Sequence, residues 1–292
     1  MNRVVSHPRM AVPLAAVASQ AAPGGQMVSG HYDVAAPAAG VVGVAAAAAR
    51  TSVQAFGAGA GAGLSTIAVE FHHLGAEAEE ALASAFVTRT FAPHDLIYLQ
   101  DDDADYLYFI RSGYVRLSYL MEDGSAVLCG ILPPGESFGE LGVFEGSTHC
   151  DMATAIGNVV VSAVSVQQFR HLRERHPQIG TAVARVVARR YRTYVELTRM
   201  LSLKTLAARL AQALLRLAEG LGTQARVGDR LYPSVGSVVT QTDLGLMARG
   251  ARSNVNRALK AWERERWIAM QDRSIVILNR QKLEALALQE EF

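Results

Sequence analysis

The 292-residue chain has only two cysteines, Cys129 and Cys150. Two thiols exclude a disulfide framework and any zinc or iron–sulfur site built from four thiolates of one chain. Long apolar runs are also missing, since the nearest candidate, residues 41–49, is far shorter than the roughly 18 to 20 residues of a membrane-spanning helix. We therefore expect a soluble protein in a reducing compartment, with no membrane partner.

The chain has almost no net charge, because 28 Lys and Arg stand against 27 Asp and Glu. This balance hides an asymmetry: residues 1–176 carry 9 basic and 17 acidic side chains, whereas residues 177–292 carry 19 and 10. The length predicts about two folded domains. An acidic front and a basic back indicate a sensing or docking part joined to a part that meets phosphate.

Residues 1–65 contain few charged side chains, namely Arg3, Arg9, Asp33 and Arg50. Ala, Gly and Val dominate this segment without any regular period, and glycine is costly to order. We predict a disordered Ala/Gly-rich tail. A secretory signal is the alternative, because basic residues precede an apolar stretch, and a start codon assigned too far upstream would produce a similar segment.

Short strands separated by turn formers are predicted across residues 87–169, after one or two short helices within residues 67–86. The runs at residues 96–99, 106–110, 115–121 and 127–132 are rich in aromatic and β-branched residues. Asp123-Gly124 lies between two alternating runs and is a strong hairpin signal. Further corners are predicted at Gly113, at Pro133-Pro134-Gly135 and at Gly157-Asn158. Several strands in quick succession predict antiparallel β structure.

Two glycines flank Glu140 in the stretch Gly135-Glu-Ser-Phe-Gly-Glu-Leu-Gly142. Such a loop lets backbone N–H groups converge on a small anion. Together with Asp102-Asp-Ala-Asp-Tyr-Leu-Tyr-Phe-Ile-Arg-Ser-Gly113, it resembles the cyclic-nucleotide-binding β-roll of the CRP/FNR family of bacterial transcription regulators. The resemblance extends from about residue 66 to the C-terminus. It implies an α+β chain whose sensor domain is an antiparallel, jelly-roll-like β-roll.

The resemblance implies that Glu140 holds a ribose and that an Arg-Ser or Arg-Thr pair ten residues later binds a cyclic phosphate. Counting without gaps places Cys150 and Asp151 there, which replaces attraction to phosphate by repulsion. Losing one partner of a buried charged contact costs about 2 to 5 kcal/mol. His149 would supply a cation only after a loop shift, and imidazole is mostly neutral at pH 7.

The family's usual Thr-Ser contacts to adenine align with Tyr194 and Val195, which do not reproduce them. We therefore predict weak or no binding of cyclic AMP, and the sequence identifies no cofactor with certainty. A small nucleotide effector, including a cyclic nucleotide in a shifted pocket, and no effector at all remain open. The predicted effector pocket consists of Gly139, Glu140, Leu141, His149, Cys150, Asp151, Tyr194 and Val195. The sequence provides no spacing typical of haem ligands among its histidines.

A long helix is predicted over residues 177–201, because Pro177 suits a helix start and no Gly or Pro follows Gly180. Arg190 interrupts its otherwise apolar stripe. This spacing of three and four is typical of a coiled-coil seam and predicts a dimerisation helix. The alternative is a single amphipathic helix packed on its own domain. The apolar positions of the predicted seam are Val183, Val187, Tyr194, Leu197 and Leu201.

Residues 240–263 have the spacing of a helix-turn-helix, with Thr240 or Thr242 as the cap, a turn at Gly250 and an apolar stripe in the second helix. A hairpin over residues 267–278 would form a wing. The family's recognition helix commonly carries Ser-Arg-Glu-Thr-Val-x-Arg; Ala251-Arg-Ser-Asn-Val-Asn-Arg257 keeps both Arg positions and lacks the Glu. The predicted DNA contacts are Thr240, Gln241, Arg252, Ser253, Asn254, Asn256, Arg257 and Lys260.

The sequence therefore predicts four segments: a tail at 1–65, a β-roll domain at 66–176, a dimerisation helix at 177–201 and a winged helix-turn-helix domain at 202–292. The predicted partners are double-stranded DNA and a second copy of the chain, and the resemblance also implies RNA polymerase and a cytoplasmic location. No catalytic or metal constellation is predicted. The alternatives are a cupin-like metal-dependent enzyme, although the strands lack a His-x-His pair, and a nucleotide-binding module without DNA activity.

Overall fold

The computed structural model describes residues 69–288. The predicted tail, residues 1–65, lies outside the described residues. A 3-10 turn, Val69–Phe71, leads into the first half of the chain. Its elements are α1 (Ala76–Ser84), β1 (Val87–Phe91), β2 (Leu96–Tyr98), β3 (Tyr106–Leu120), β4 (Ala126–Leu132), β5 (Ser137–Phe138), α2 (Glu140–Glu145), β6 (Met152–Ser165) and α3 (Val166–Arg175).

The second half begins with a long helix and continues as a compact helical unit with two hairpins. Its elements are α4 (Pro177–Leu201), α5 (Leu206–Leu221), β7 (Thr223–Val227), β8 (Arg230–Ser234), α6 (Gln241–Ala248), α7 (Arg252–Arg264), β9 (Ile268–Gln271), β10 (Ser274–Ile277) and α8 (Arg280–Leu288). No helix among residues 69–288 is long and apolar enough to span a membrane.

The first half is a β-roll built on two long antiparallel strands, β3 and β6. Their register runs from Tyr106 opposite Ser165 to Ser118 opposite Met152. β1 and β2 pair with β6, whereas β4 and β5 pair with β3, and every pairing is antiparallel. The Asp123-Gly124 turn joins β3 to β4, as predicted. The antiparallel β-roll of the α+β prediction is therefore confirmed.

Two predicted corners are wrong, because Gly113 and Gly157 lie within continuous strands. β3 passes through Gly113, and its register with β6 shifts between Ile110 and Ser112 and again between Ser112 and Tyr114. Gly113 has a φ of 79°, and a Cβ there would lie 2.3 Å from the carbonyl oxygen of Asn158. Glycine is required for this close approach of two strands rather than for a reversal of the chain.

Helix α4 spans the predicted 177–201 range, but its predicted seam packs on the β-roll of its own chain. Val183 and Leu197 are 0% and 6% exposed, and Arg190, at 7%, is paired within the β-roll. The alternative of an amphipathic helix covering its own domain therefore explains this stripe. A second stripe faces outward with spacings of three and four, and its members are Thr181, Ala184, Ala188, Tyr191, Val195 and Thr198.

The C-terminal half is a winged helix-turn-helix, as predicted. α6 and α7 form the helical pair, and the four-stranded sheet has the order β7-β8-β10-β9. The wing is the β9–β10 hairpin, whose two-residue turn, Asp272-Arg273, has positive φ at both positions. Helix α5 begins at Leu206, where the Thr205 hydroxyl accepts the Ala208 N–H as an N-cap.

The apolar core does not stop at the boundary between the halves. One cluster runs from the interior of the β-roll, including Leu128 and Val161, through Leu214 of α5 to Val255 of α7. A smaller cluster joins α1, α3 and the first turns of α4 around Phe109. The two halves therefore share buried apolar surface, which favours one fixed arrangement.

Candidate nucleic-acid interface and effector pocket

The first helix of the helix-turn-helix begins with a reciprocal capping box. The Thr240 hydroxyl accepts the Asp243 N–H at 3.1 Å, and the Asp243 carboxylate accepts the Thr240 N–H at 2.9 Å. Two otherwise unpaired N–H groups are thereby satisfied. Thr240 is exposed at this helix start, so its side chain serves as a cap and lies on the outer surface.

Helix α7 buries one face and presents the other to solvent. Val255, Leu259 and Trp262 pack inward, at 0%, 2% and 5% exposure. Side chains at the start of a helix inserted into the major groove can reach base edges. The outward positions among the predicted DNA contacts are Arg252, Ser253, Asn254, Arg257 and Lys260, whereas Gln241 and Asn256 are half-buried and 3.5 Å apart.

The turn between α6 and α7 depends on two close backbone approaches. A Cβ on Gly245 would lie 2.6 Å from the carbonyl oxygen of Gly250, and a Cβ on Gly250 would lie 2.4 Å from the Leu206 side chain. Arg249 ends α6 in the left-handed region, with a φ of 49°. The turn thus fixes the angle at which α7 projects from the domain.

An ion pair that the sequence analysis missed ties this domain to the β-roll. The Arg116 side chain of β3 donates to Asp243 Oδ1 at 2.9 Å from Nε, and Nη2 lies 2.7 Å from the same oxygen. Asp243 is 1% exposed, so the cap of α6 also carries a buried charge that requires a partner. The separation of 127 residues leaves no local signal for this contact.

The predicted effector pocket comes together around the Gly139–Gly142 loop, with one exception. Gly139, Glu140, Leu141, His149, Cys150 and Asp151 line one small cavity. Tyr194 reaches it from α4 through a hydrogen bond to Asp151. Val195 is 41% exposed on the outer face of α4 and does not belong to the pocket. A helix turns by about 100° per residue, so neighbours point in different directions.

Glu140 is held by a cation of this chain. Arg190 Nε donates to Glu140 Oε1 at 2.9 Å, and its Nη2 donates to the Ser137 carbonyl at 2.9 Å. The Glu140 carboxylate raises the pKa of Arg190, although burial opposes this. In the sequence, Arg190 was recognised only as a charged residue that interrupts the apolar stripe. A lone charge in such a stripe is a signal for a buried partner.

His149 stacks on Tyr98 inside the β-roll, with ring centroids 3.5 Å apart and planes 6° apart. Burial lowers the pKa of His149 to about 4, although the carboxylates of Asp102, Asp105 and Glu140 raise it in part. The imidazole is therefore neutral at pH 7 and supplies no cation to the pocket. Partial desolvation and the neighbouring carboxylates of Asp151 and Glu140 raise the pKa of Cys150 to about 11, which keeps this thiol protonated.

Acidification should destabilise the protein through His149. Between the unfolded imidazole pKa near 6.5 and the folded value of about 4, the unfolded chain binds a proton that the folded chain does not. The free energy of unfolding should therefore fall as pH is lowered through this range. Urea unfolding at several pH values measures the slope, which should shrink in His149→Phe because that ring stacks but does not titrate.

His171→Gln, at an exposed position on α3, is the control and should keep the wild-type slope. An identical pH dependence in His149→Phe and the wild type would contradict the assignment of a buried neutral imidazole.

Residues 69–288 contain no group of three or more His, Cys, Asp or Glu side chains arranged to hold a metal ion. Tyr98 is a pocket residue that sequence reasoning missed, because its contacts with Asp151 and His149 join positions about fifty residues apart. The sequence predicted a strand at residues 96–99 but did not indicate which side chains Tyr98 would contact.

Comparison with known families supports both halves of this architecture. Residues 88–176 match the family model of the cyclic nucleotide-binding domain, and residues 208–286 match that of the Crp-like helix-turn-helix domain. Together the two models account for more than half of the chain.

Curated relatives and solved structures match this chain over most of their own length. A CRP-like cAMP-activated global transcriptional regulator of Mycobacterium tuberculosis is 29% identical over 209 residues, which cover 70% of this chain and 92% of that protein. The structure of FixK2 from Bradyrhizobium japonicum has a TM-score of 0.60 at 25% identity, covering 69% of this chain and 96% of FixK2.

The CRP-family regulator TTHB099 from Thermus thermophilus has a TM-score of 0.55 at 29% identity, and the match covers 68% of this chain and 95% of TTHB099. The motifs quoted from the sequence, the β-roll and the winged helix-turn-helix all occur in the order that these matches require. This chain belongs to the CRP/FNR family of transcription regulators and carries its DNA-binding helix-turn-helix domain.

Proposed function

We propose that this chain is a homodimer that binds a pseudo-palindromic DNA site, with no need for cyclic AMP. The observation that carries the proposal is the recognition surface of α7, which is fully formed and exposed while the rest of the helix is buried. Two copies related by a twofold axis would meet half-sites about 34 Å apart, one turn of the duplex. We also propose that the regulator contacts RNA polymerase and that it acts in the cytoplasm.

The charge and chemistry of α7 support direct reading of bases. Arg252 and Arg257 are long donors of the kind that pairs with O6 and N7 of guanine. Ser253 stands where the family commonly has Glu, an acceptor for cytosine N4–H. We therefore propose that guanine preference is kept at the Arg positions and that selection is relaxed or altered at one base pair. Lys260, one turn farther along, suits a phosphate.

The outward stripe of α4 supports the dimer. Thr181, Ala188, Tyr191 and Val195 lie on it at coiled-coil spacing, and Tyr191 and Val195 are 68% and 41% exposed. Small residues in the first half let two helices approach closely, whereas Tyr191 and Val195 supply apolar area in the second half. The helix has 25 residues, so the stripe extends over about 37 Å. We propose that this stripe, and not the one first predicted, is the dimer seam.

The state of the pocket supports independence from cyclic AMP. Its cavity measures about 10 Å³, room for roughly one water molecule, whereas small-molecule sites measure about 300 to 1,000 Å³. The Mycobacterium relative is named as cAMP-activated; this chain places a carboxylate and a neutral imidazole beside the equivalent loop.

A nucleotide in a shifted pocket is the second candidate for the effector. A cavity of about 330 Å³ lies between β4, α4 and α5, and its lining includes Arg189 and Arg216. None of the predicted pocket residues lines it. Glu136 and Glu196 also line it, which opposes binding of a phosphate.

Selection of bound sequences from random duplex DNA tests the proposal. The full-length protein should enrich an inverted repeat with half-site centres about 10 base pairs apart. The same repeat should emerge with and without cyclic AMP, cyclic GMP and cyclic dinucleotides. Calorimetry should detect no heat from cyclic AMP at micromolar concentrations.

Absence of any enriched sequence, even at low salt, would contradict the assignment as a DNA-binding regulator. Micromolar binding of cyclic AMP would instead contradict only its independence from that nucleotide and would favour the shifted pocket.

A further inference from the structure

A buried carboxylate joins three elements of the fold inside the β-roll. Asp151 precedes β6 and is 5% exposed. The Tyr98 hydroxyl of β2 donates to Asp151 Oδ1 at 2.8 Å, and the Tyr194 hydroxyl of α4 donates to Oδ2 at 2.6 Å. Each oxygen therefore has its own donor, and the two donors come from different elements of the fold, β2 and α4.

Both donors stay protonated over the working range of pH. Burial is the main reason that the pKa values of Tyr98 and Tyr194 are raised, and the charge of Asp151 raises them further. A buried carboxylate is costly unless it is hydrogen-bonded, so each hydroxyl contributes strongly. Replacing either tyrosine would leave one carboxylate oxygen without its donor.

The surrounding side chains leave no room for another anion. Tyr98 packs against Tyr108 and Phe138, with ring centroids 6.0 Å apart in both pairs, and stacks on His149. Glu140 is engaged by Arg190, also from α4. Two contacts, Asp151 with Tyr194 and Glu140 with Arg190, thus attach the middle of α4 to the β-roll from within.

We propose that Asp151 is a built-in substitute for a ligand anion: its carboxylate holds α4 on the β-roll and thereby sets the position of the DNA-binding domain. The inference rests on the proposed function and states how that function is regulated. Asp151 and Tyr194 are positioning residues for DNA binding, since neither lies near α7. The ligand-free protein is accordingly competent to bind its operator.

The contact acts on DNA binding through the direction of α4. Tyr194 lies seven residues before the C-terminal end of α4, close to the segment that leads into α5. Release of Tyr194 would let this end of the helix move relative to the β-roll. Affinity then falls in proportion to the fraction of molecules that keep the competent arrangement.

Operator binding by fluorescence anisotropy, without nucleotide, tests the inference in wild type, Asp151→Ala, Tyr194→Phe and Tyr119→Phe. Tyr119 is 45% exposed on β3 and serves as the matched loss of a hydroxyl. We expect operator affinity to fall about tenfold in Tyr194→Phe, to fall further in Asp151→Ala and to stay unchanged in Tyr119→Phe. Light scattering should show that every variant remains dimeric.

Chemical rescue separates positioning by an anion from a general packing defect. Asp151→Ala leaves a space of about one carboxylate between two hydroxyl donors, which formate fits. Formate at tens of millimolar, with ionic strength held constant by chloride, should restore most of the lost affinity, whereas formamide should not. Constant ionic strength is essential because DNA binding weakens as salt rises.

Unchanged operator affinity in both Asp151→Ala and Tyr194→Phe would overturn the inference, as would equal effects of formate and formamide. If Asp151→Ala does not fold, the same measurement is made with Asp151→Asn and Tyr194→Phe. Wild-type operator affinity in both of these variants would overturn the inference. Failure of the wild type and of Tyr119→Phe to bind any duplex would refute the proposed function itself, and the inference with it. A wild type that binds only when cyclic AMP is added would also overturn the inference.

Discussion

Arg257→Ala is expected to abolish selective binding to the operator while leaving the dimer intact. A bidentate contact between Arg and guanine is worth about 1 to 3 kcal/mol, and a dimer loses two of them. The combined loss of about 2 to 6 kcal/mol corresponds to roughly 30-fold to more than 10,000-fold in affinity. Arg257 is exposed, so its removal should not disturb the core that Val255 and Leu259 form on the other face of α7.

Competition between operator and scrambled duplex measures this effect, with Lys260→Ala as the comparison. Loss of a phosphate contact weakens binding to all sequences alike and reduces the salt dependence by about one counterion. Arg257→Ala should instead reduce the preference for the operator. An Arg257→Ala protein that retains the full preference would show that α7 is not the reading helix.

Tyr191→Asp is expected to convert the dimer into monomers. Tyr191 is 68% exposed on the outward stripe of α4, and in a twofold pair it would lie close to its own copy. The substitution removes apolar area and brings two like charges together at the seam. Loss of the dimer also removes the gain from linking two half-site contacts, so operator affinity should fall at least about 100-fold.

Sedimentation or light scattering measures the oligomeric state directly. Gln167→Asp adds the same charge at an exposed position of α3 and should leave the dimer unchanged. A Tyr191→Asp protein that remains dimeric would place the seam elsewhere, whereas a wild type that is monomeric would contradict the homodimer.

The architecture was accessible from the sequence wherever a local signal decides the structure. The Asp123-Gly124 hairpin, the Thr240 cap and the wing each depend on a few adjacent residues whose preferred dihedrals agree with the fold. Gly113 and Gly157 show where such signals fail. Glycine at these positions indicates a positive φ. Whether the chain reverses or bulges there depends on pairing with a strand more than forty residues away.

The candidate pocket was predicted in its membership but not in its internal contacts. The Gly139–Gly142 motif located the loop, and counting along the chain found Asp151, whose charge indicated repulsion of phosphate. The motif did not reveal that two tyrosines would engage the carboxylate, since these partners lie 53 and 43 residues away. The outward stripe of α4 was missed for a related reason: the more apolar stripe was the one its own β-roll buries.

The Arg116–Asp243 contact means that the two halves of this regulator are not interchangeable modules. Expressed alone, the C-terminal half would lose the partner of the Asp243 carboxylate, because Arg116 lies on β3 of the other half. It would also uncover the apolar side of α5 and α6 that now faces β4. A chimera that joins this winged helix-turn-helix domain to another sensor domain would therefore also need Arg116 and the strand that carries it.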